Sequence, residues 1–397
     1  MEERDVVIVG ASIAGCTAAL LYGRAGLRVT VVEKQRDPAA FKALCGHFVL
    51  GGTRDMLVRT GLWDEIVAAG GVAGGISRWT GTGFSTPPDG VPDAISLRRE
   101  RLDPLLRTVA AGTPGVEIRY GEAVTELLSG ASGVRTRDRA GVEREYRARL
   151  VIGADGYRST VAGLANAAVD TAPNNRFGMW AYYRGLPHVG NRIWMLEPDV
   201  AITIRTDDGL AMLVAFPAKD KLPEFRTDRA AALEKLIRSL PEAPDLTGGE
   251  RVSPVIGMTD YPCVRRDPTP GPALMLVGDA AITGDPQPAV GCGWAFRSAE
   301  WLADSTVPAL RGEIPMSRAA AAYRRRLRFI RGHDGMARRD ALAKPPNPMQ
   351  RMVLRAAAVD AHVGRRAYLF SMRAIPVSGL LNPVTLGRAA LAARRAP

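Results

Sequence analysis

The sequence lacks the features of membrane-spanning, disulfide-rich and zinc-binding proteins. No run of about 20 apolar residues, which a transmembrane helix needs, occurs among the 397 residues. The four cysteines are scattered without a C-x-x-C pair, and the four histidines lie far apart, so we expect neither disulfides nor a metal ion. The charged N-terminal stretch MEERDVVIVG has none of the pattern of a secretory signal. We therefore expect a cytoplasmic protein with free thiols.

The net charge of +12 is concentrated in one part of the chain. Residues 316–397 contain 17 Lys and Arg against three Asp, whereas the remainder contains 36 basic and 38 acidic residues. This basic stretch has no interleaved aromatic platform or recognisable nucleic-acid-binding module, so we expect no nucleic-acid partner. Its mixed basic and apolar character leaves docking to a membrane surface or to an acidic carrier protein open.

The stretch VVIVGASIAGCTAALLYGRAGLRVTVVEK, from Val6 to Lys34, predicts a strand, a glycine turn, a helix and a second strand. Ser12 replaces the middle glycine of the G-x-G-x-x-G fingerprint, but it is small enough for a pyrophosphate to approach the backbone. The helix that follows presents its N-terminal amides to the phosphates, and Glu33 is placed to accept hydrogen bonds from ribose hydroxyls. The predicted dinucleotide contacts are Gly10, Ser12, Ile13, Ala14, Gly15, Glu33 and Lys34.

Two later motifs identify the dinucleotide. They are RLVIGADGYRSTV, from Arg149 to Val161, and ALMLVGDAAITGDPQPAVGCGWAFRSAEWLAD, from Ala273 to Asp304. Together with the first loop, and in the same order, they resemble the motifs of the flavoprotein monooxygenases of the para-hydroxybenzoate hydroxylase fold (group A). The resemblance covers roughly residues 1–310. It implies an α/β fold with a Rossmann-like FAD-binding domain, an inserted mixed or antiparallel β-sheet substrate domain and a C-terminal helical region.

The resemblance assigns further cofactor contacts. Asp279 would bind the ribityl chain or the ribose side of the pyrophosphate, and Arg99, three residues before Leu102, matches the R-x-x-L pattern near the pyrophosphate. The helix opened by Gly291, Cys292 and Gly293 would point its positive end at the N1–C2=O edge of the flavin, where reduced flavin carries negative charge. Asp155 and Arg158 would serve FAD and a visiting NADH or NADPH, since no second dinucleotide fingerprint is present.

The chain divides into four predicted segments. Residues 1–167 and 270–315 form the two parts of the FAD-binding domain, residues 168–269 form the substrate sheet, and residues 316–397 form a helical lid and scaffold. Short β-rich runs such as RFGMWAYYRG predict the sheet. Alternation places Met179 and Ala181 on one face and Trp180 and Tyr182 on the other, without showing which face lines the pocket. The substrate-pocket candidates are Trp180, Tyr182 and Pro286.

The function implied by this resemblance is monooxygenation. NADH or NADPH would reduce the FAD, O2 would form a flavin C4a-hydroperoxide, and one oxygen atom would pass to an aromatic or polycyclic small molecule in a hydroxylation or epoxidation. A composition rich in Ala, Arg and Gly is similar to that of proteins from high-GC bacteria, in which such enzymes often tailor antibiotics. The substrate and the oligomeric state, monomer or homodimer, stay open.

Departures from the family pattern keep alternatives open. Ile282 stands where many members have histidine. The arrangement Gly-Asp-Ala, then Asp285-Pro286, then Gly-x-Gly is also seen in flavin-dependent halogenases and geranylgeranyl reductases. The cysteine-glycine turn at Cys45 favours an alkene reductase as the alternative, whereas the halogenase signature W-x-W-x-I-P is absent. A flavin-binding protein without turnover is a further alternative. Cys45 and His47 are the weak catalytic candidates. The alternative, purely structural interpretation is a small buried apolar residue for Cys45 and a loop histidine for His47.

Overall fold

The computed structural model describes residues 2–81, 83–186 and 189–394. The predicted domain ends at residues 1 and 397 lie outside these ranges. The first large sheet has a parallel centre in which β1 pairs with both β2 and β10. A buried parallel strand has to be apolar on both faces, and Val6, Val7 and Ile8 are fully buried. The strands of this sheet are β1 (Glu2–Val9), β2 (Val29–Glu33), β7 (Val116–Tyr120), β8 (Ala123–Leu127), β9 (Gly133–Arg137), β10 (Glu143–Gly153) and β19 (Leu274–Leu276).

Helices pack around this sheet and bring its loops together. The Tyr22 hydroxyl lies 2.5 Å from the Thr306 hydroxyl, which joins α1 to α8 inside the core. A small sheet and further helices lie between β2 and β7. These elements are α1 (Ile13–Arg24), α2 (Arg54–Arg59), α3 (Leu62–Ala68), α4 (Arg99–Ala111), α5 (Thr160–Leu164), α8 (Gly291–Leu310), β3 (Phe48–Val49), β4 (Val72–Gly74) and β6 (Ala94–Ser96).

A second large sheet is inserted in the chain after α5. It is antiparallel except where β5 pairs with β13, and β5 brings residues from before position 168 into it. Met179 and Ala181 pack towards the helices on its outer face, whereas Trp180 faces the first sheet. The elements are β5 (Ser77–Arg78), β12 (Gly178–Arg184), β13 (Arg192–Met195), β14 (Val200–Arg205), β15 (Ala211–Phe216), β16 (Glu250–Arg251), β17 (Ile256–Met258), α6 (Leu222–Thr227) and α7 (Arg229–Arg238).

A third, short sheet joins the beginning and the end of this insertion. It consists of β11 (Val169–Ala172), β18 (Cys263–Arg266) and β20 (Ile282–Thr283), with β18 in the middle and antiparallel to both neighbours. Because β20 lies within the third sequence motif, this sheet holds the inserted part of the chain against the FAD-binding part. The predicted α/β class with an inserted sheet is confirmed.

The basic C-terminal region is helical, as predicted. The arginine-rich stretch forms two helices, and its side chains pair with acids elsewhere: Arg326 with Asp304 at 2.5 Å and Arg338 with Asp170 at 2.7 Å. Docking of this region to a membrane surface or carrier protein stays a prediction. Among the described residues, no helix is both long enough and apolar enough to cross a bilayer. The helices are α9 (Met316–Arg326), α10 (Arg328–Asp340), α11 (Pro348–Val359), α12 (Ala361–Ser371), α13 (Val377–Leu380) and α14 (Pro383–Ala393).

Candidate functional site

A cleft of about 520 Å³ brings most of the predicted site residues together. Its walls come from the loops after β1, β2 and β10, from the first turns of α4 and α8, and from strands of the second large sheet. Gly15, Gly293 and Tyr182 lie behind these walls rather than on the surface of the cleft. The predicted residues that line it are Gly10, Ser12, Ile13, Ala14, Glu33, Lys34, Cys45, His47, Arg99, Asp155, Arg158, Trp180, Asp279, Pro286, Gly291 and Cys292.

The first loop requires its glycines for steric reasons. Gly10 has a φ of +103°, and a Cβ there would lie 2.6 Å from the Ala154 carbonyl oxygen. A Cβ at Gly15 would lie 1.8 Å from the Gly10 carbonyl oxygen, so α1 can start this close to the strand with glycine alone. Ser12 precedes α1 without capping it, and its hydroxyl accepts a hydrogen bond from Arg99 at 2.7 Å. The first-turn amides of α1 therefore stay available at the cleft.

Glu33 stands at the carboxyl end of β2 with its side chain buried. Its carboxylate accepts the Ala11 amide at 2.7 Å and the Gln35 amide at 2.8 Å. Two oxygens offer about four acceptor positions, so acceptor capacity is left for a ribose. Glu33 thus both holds the first loop in shape and lines the cleft.

Helix α4 contributes three buried charged residues one turn apart. Arg99 forms a two-bond ion pair with Asp103, at 2.8 and 2.9 Å. Arg107 donates to the Ala11 carbonyl oxygen at 2.8 Å and thereby ties α4 to the first loop. Sequence analysis missed Asp103 and Arg107, although their spacing from Arg99 by four and eight residues on a helix was visible. The arrangement orients a guanidinium beside the predicted pyrophosphate position.

Asp279 follows β19 and meets a lysine from the opposite side of the cleft. The Lys42 ammonium lies 2.9 Å from the Asp279 carboxylate, and the Tyr261 hydroxyl lies 3.5 Å from it. Lys42 belongs to the irregular segment 34–47, which we call the cleft loop. Sequence analysis missed Lys42, because nothing in a loop sequence shows which charges it faces across the fold.

Asp155 supports local structure as well as lining the cleft. Its carboxylate accepts the Ser159 hydroxyl at 2.6 Å and the Val161 amide at 3.0 Å, at the start of α5. Arg158 stacks over the Tyr157 ring, 5.2 Å from its centroid, at the same edge of the cleft. A carboxylate and a guanidinium are therefore adjacent where the visiting nicotinamide nucleotide is predicted.

The N-terminus of α8 forms the other end of the cleft. The helix begins at Gly291, and its N-cap Val290 supplies no side-chain hydrogen bond to the first-turn amides. The Cys292 sulfur lies 3.6 Å from the Cys45 sulfur of the cleft loop. A Cβ at Gly293 would lie 2.8 Å from the Thr53 hydroxyl, so this glycine serves close packing. The positive end of a 20-residue helix thus faces the cleft.

His47 is buried beside the roof of the cleft. It adopts a φ of +38°, stacks on Tyr182, and its Nδ1 lies 3.2 Å from the Tyr182 hydroxyl. Its Nε2 has no hydrogen-bond partner among the described residues. Burial lowers the pKa of His47 to about 4, although Cys45 and Asp207 act in the opposite direction. The imidazole is therefore neutral at pH 7, with one nitrogen left for a ligand.

Asp285 belongs to the proline-rich loop of the third motif and was not among the predicted site residues. It is buried, lines the cleft, and its Oδ2 lies 3.5 Å from the Arg176 guanidinium. Burial raises the pKa of Asp285 to about 6, while the Gln287 amide and Arg176 lower it. A carboxyl group with this pKa exchanges a proton near neutral pH.

The residues of the cleft fit FAD. Two uncapped helix N-termini suit a pyrophosphate and the flavin edge, Glu33 suits a ribose, and the unpartnered Nε2 of His47 suits a polar ring atom. A family model described as FAD binding domain matches residues 3–333, which is most of the chain.

Known proteins similar to this chain include a monooxygenase, a hydroxylase and a flavin-dependent brominase. The 4-methyl-5-nitrocatechol 5-monooxygenase of Burkholderia sp is 33% identical over 180 residues, covering 40% of this chain and 32% of that protein. Aklavinone 12-hydroxylase DnrF of Streptomyces peucetius is 26% identical over 352 residues, covering 78% and 68%. The structure of the flavin-dependent brominase Bmp2 superposes with a TM-score of 0.77 at 19% identity, covering 99% and 100%.

These comparisons differ in how much of each protein they cover and in what they show. The match spans about a third of the nitrocatechol monooxygenase and about two thirds of DnrF, and the likeness to Bmp2 concerns the fold alone. The family model, by contrast, covers the three sequence motifs and the inserted sheet together. The chain belongs to the FAD binding domain family, with FAD as its cofactor, and the predicted group A flavoprotein fold and oxidoreductase class are confirmed at that level.

Proposed function

We propose that this protein is an NAD(P)H-dependent FAD monooxygenase that hydroxylates or epoxidises an aromatic or polycyclic small molecule. The observation that carries the proposal is the apolar roof of the cleft. Its side chains come from β12, β14 and β15 of the inserted sheet, line the same cleft as the first turn of α8, and are buried. The roof residues are Trp180, Ile202, Ile204, Met212, Val214 and Phe216.

Such a roof suits oxygen transfer. When bound, FAD would supply the redox chemistry of a monooxygenation, with NADH or NADPH as the reductant and O2 as the oxidant. Water near the reacting atoms would divert this reaction, so an apolar enclosure favours it. A flat apolar wall also matches the face of an aromatic substrate.

Polar groups beside the roof supply proton transfer. Burial raises the pKa of Asp285 to about 6, so at pH 7 its carboxylate can accept a proton from a substrate hydroxyl and make the ring more electron-rich. The neutral His47 presents Nε2 as a hydrogen-bonding group for the flavin or the substrate. Asp155 and Arg158 are the proposed contacts of the nicotinamide nucleotide.

The relatives support the reaction class. One is named a monooxygenase and the other, from a Streptomyces, a hydroxylase, and both names denote transfer of oxygen. We therefore place this protein among bacterial enzymes of small-molecule oxidation, with natural-product biosynthesis as the proposed context.

The test is turnover with labelled oxygen. FAD-loaded protein is given NADH or NADPH, ¹⁸O₂, bromide, and a panel of phenols, polycyclic aromatics and prenyl alkenes, and the masses of the products are measured by mass spectrometry. We expect one ¹⁸O atom in the product and NAD(P)H oxidation that the substrate stimulates. A product with two added hydrogens and no ¹⁸O would assign the chain to the alkene reductases, and halide incorporation to the halogenases. Absence of NAD(P)H oxidation with every compound would leave a flavin-binding protein without turnover.

A matched pair of variants tests the roof itself. Ile204→Trp fills the apolar pocket, whereas Arg205→Trp adds the same ring to the next residue of β14, which is exposed. We expect Ile204→Trp to lower product yield per NAD(P)H at least about tenfold while FAD stays bound, and Arg205→Trp to leave the yield unchanged. Equal yields in both variants would contradict the position of the substrate.

A further inference from the structure

Two thiols face each other inside the FAD cleft. Cys45 lies on the cleft loop and Cys292 in the first turn of α8, and their sulfurs are 3.6 Å apart. A disulfide has a sulfur–sulfur length of about 2.05 Å, so the sulfurs need to approach by about 1.5 Å. The cleft loop has no regular secondary structure between Glu33 and Phe48, and Gly46 gives the backbone next to Cys45 extra freedom.

The surroundings favour a reactive thiolate on Cys45. The hydrogen bond from Cys292 lowers the pKa of Cys45 well below its ordinary value, and the positive charges of Arg99 and Lys42 lower it further, against the effect of burial. The His47 amide also donates to the Cys45 sulfur at 3.3 Å. Thiolates of this kind react with hydroperoxides.

Cys292 has the properties of the second thiol in such a pair. Its hydrogen bond to Cys45 and its burial raise the pKa of Cys292 well above its ordinary value, so it stays protonated. Cys45 is half-buried and lines the cleft, so a small peroxide can reach it first. Cys16 and Cys263 are fully buried elsewhere and have no such partner thiol among the described residues.

We propose that hydrogen peroxide converts Cys45 and Cys292 into a reversible disulfide that closes the FAD cleft. The Cys45 thiolate attacks the O–O bond, which gives a sulfenic acid and, with one proton, water. The Cys292 thiol then gives its proton to the sulfenic oxygen while its sulfur attacks the sulfenic sulfur, so that the S–S bond forms, the S–O bond breaks and a second water leaves. The two cysteines lose two electrons in total, and the peroxide gains them. A dithiol reductant reverses the reaction.

The disulfide would act through the cleft loop. This loop already contacts the FAD site through the Lys42–Asp279 ion pair and through the Lys42 amide, which donates to Asp103 at 3.0 Å. Tying Cys45 to α8 holds the loop across the place where the flavin end of FAD would enter. The inference concerns cofactor loading and does not depend on the proposed reaction with a substrate.

The test uses the full chain with its FAD removed. The protein is treated with one equivalent of hydrogen peroxide, free thiols are alkylated, and peptides are mapped by mass spectrometry. We expect a peptide pair linked through Cys45 and Cys292 that dithiothreitol separates. When nine tenths of the protein is linked, the number of FAD-binding sites per protein, measured by flavin fluorescence titration, should fall about tenfold and recover on reduction.

Cysteine variants and a sample with FAD bound are the controls of this test. Cys45→Ser and Cys45→Ala should form no such link and keep their FAD affinity after peroxide, whereas Cys16→Ser and Cys263→Ser should behave like the unchanged protein. Bound FAD should slow the linking. Any of three outcomes would overturn the proposal. Cys45 and Cys292 would fail to link, or they would link at the same rate with FAD bound, or the linked protein would keep an unchanged FAD affinity.

Discussion

The buried neutral imidazole of His47 makes folding stability depend on pH in a way that can be calculated. The pKa of His47 falls from its ordinary value of 6.5 to about 4 in the folded protein. Between these two values the unfolded chain binds a proton that the folded protein does not bind, so stability decreases as the pH falls through this window. At 1.36 kcal/mol for each pKa unit, the contribution lost between pH 6.5 and pH 4 is about 3 kcal/mol.

Comparison with the His47→Asn variant isolates this contribution. Asparagine tolerates the positive φ of this position and does not titrate in the window. Two other groups affect both proteins equally. The pKa of His333 is also lowered to about 4, and the raised pKa of Asp285 acts in the opposite direction. The difference in the free energy of unfolding between the two proteins should therefore change by about 3 kcal/mol across the window.

Urea denaturation at several pH values between 4 and 7.5, followed by fluorescence, measures this difference. The Tyr182→Phe variant is the control, because it removes the hydroxyl that contacts His47 but leaves the imidazole buried. We expect the curve of this control to run parallel to that of the unchanged protein. A difference between His47→Asn and the unchanged protein that stays constant with pH would refute the reasoning.

Three further predictions concern the cofactor and the reaction. Gly15→Val should raise the Kd for FAD at least about 100-fold in a fluorescence titration, since its Cβ would lie 1.8 Å from a main-chain oxygen of the first loop. The control Gly163→Val, whose Cβ meets nothing within 4 Å, should leave this Kd unchanged. Asp285→Asn should lower kcat about 100-fold at pH 7.5 and remove the rise of kcat around pH 6 in a pH–rate profile. Arg99→Lys should weaken FAD binding about tenfold in equilibrium dialysis, because lysine cannot form the two-bond pair with Asp103.

Each of these predictions has an outcome that contradicts it. Equal FAD affinities of the two glycine variants would show that the first loop does not hold the cofactor. A pH–rate profile of Asp285→Asn with the same inflection as the unchanged protein would exclude this carboxyl as the proton acceptor. Unchanged FAD affinity in Arg99→Lys would leave Arg99 as a structural partner of Asp103.

The geometry of the first loop was largely predictable from the sequence. The spacing from Gly10 to Glu33 lies within one strand–helix–strand unit, whose geometry is local and the same in every protein that uses it. Ser12 did not disturb this prediction, since its side chain points to Arg99. The third motif and the start of α8 at Gly291 were predictable for the same reason.

The flavin end was predictable as a region but not in its contacts. Alternation along β12 separated Trp180 from Met179, but the side that faces the cleft depends on where α6 and α7 pack. Tyr182, predicted as a pocket residue, does not line the cleft, and its ring stacks on His47, which does. Lys42 and Asp279 are 237 residues apart in the chain, and no local pattern relates them.

The sequence by itself determined the fold class, the cofactor family and the residues of the glycine loop, because periodicity and short-range spacing encode local geometry. Tertiary structure decided which polar groups meet. It placed Cys45 beside Cys292, buried His47 and Asp285, and set Arg107 against the first loop. Burial and long-range proximity shift the pKa of a group by removing water and adding charges, and both arise when distant segments pack together.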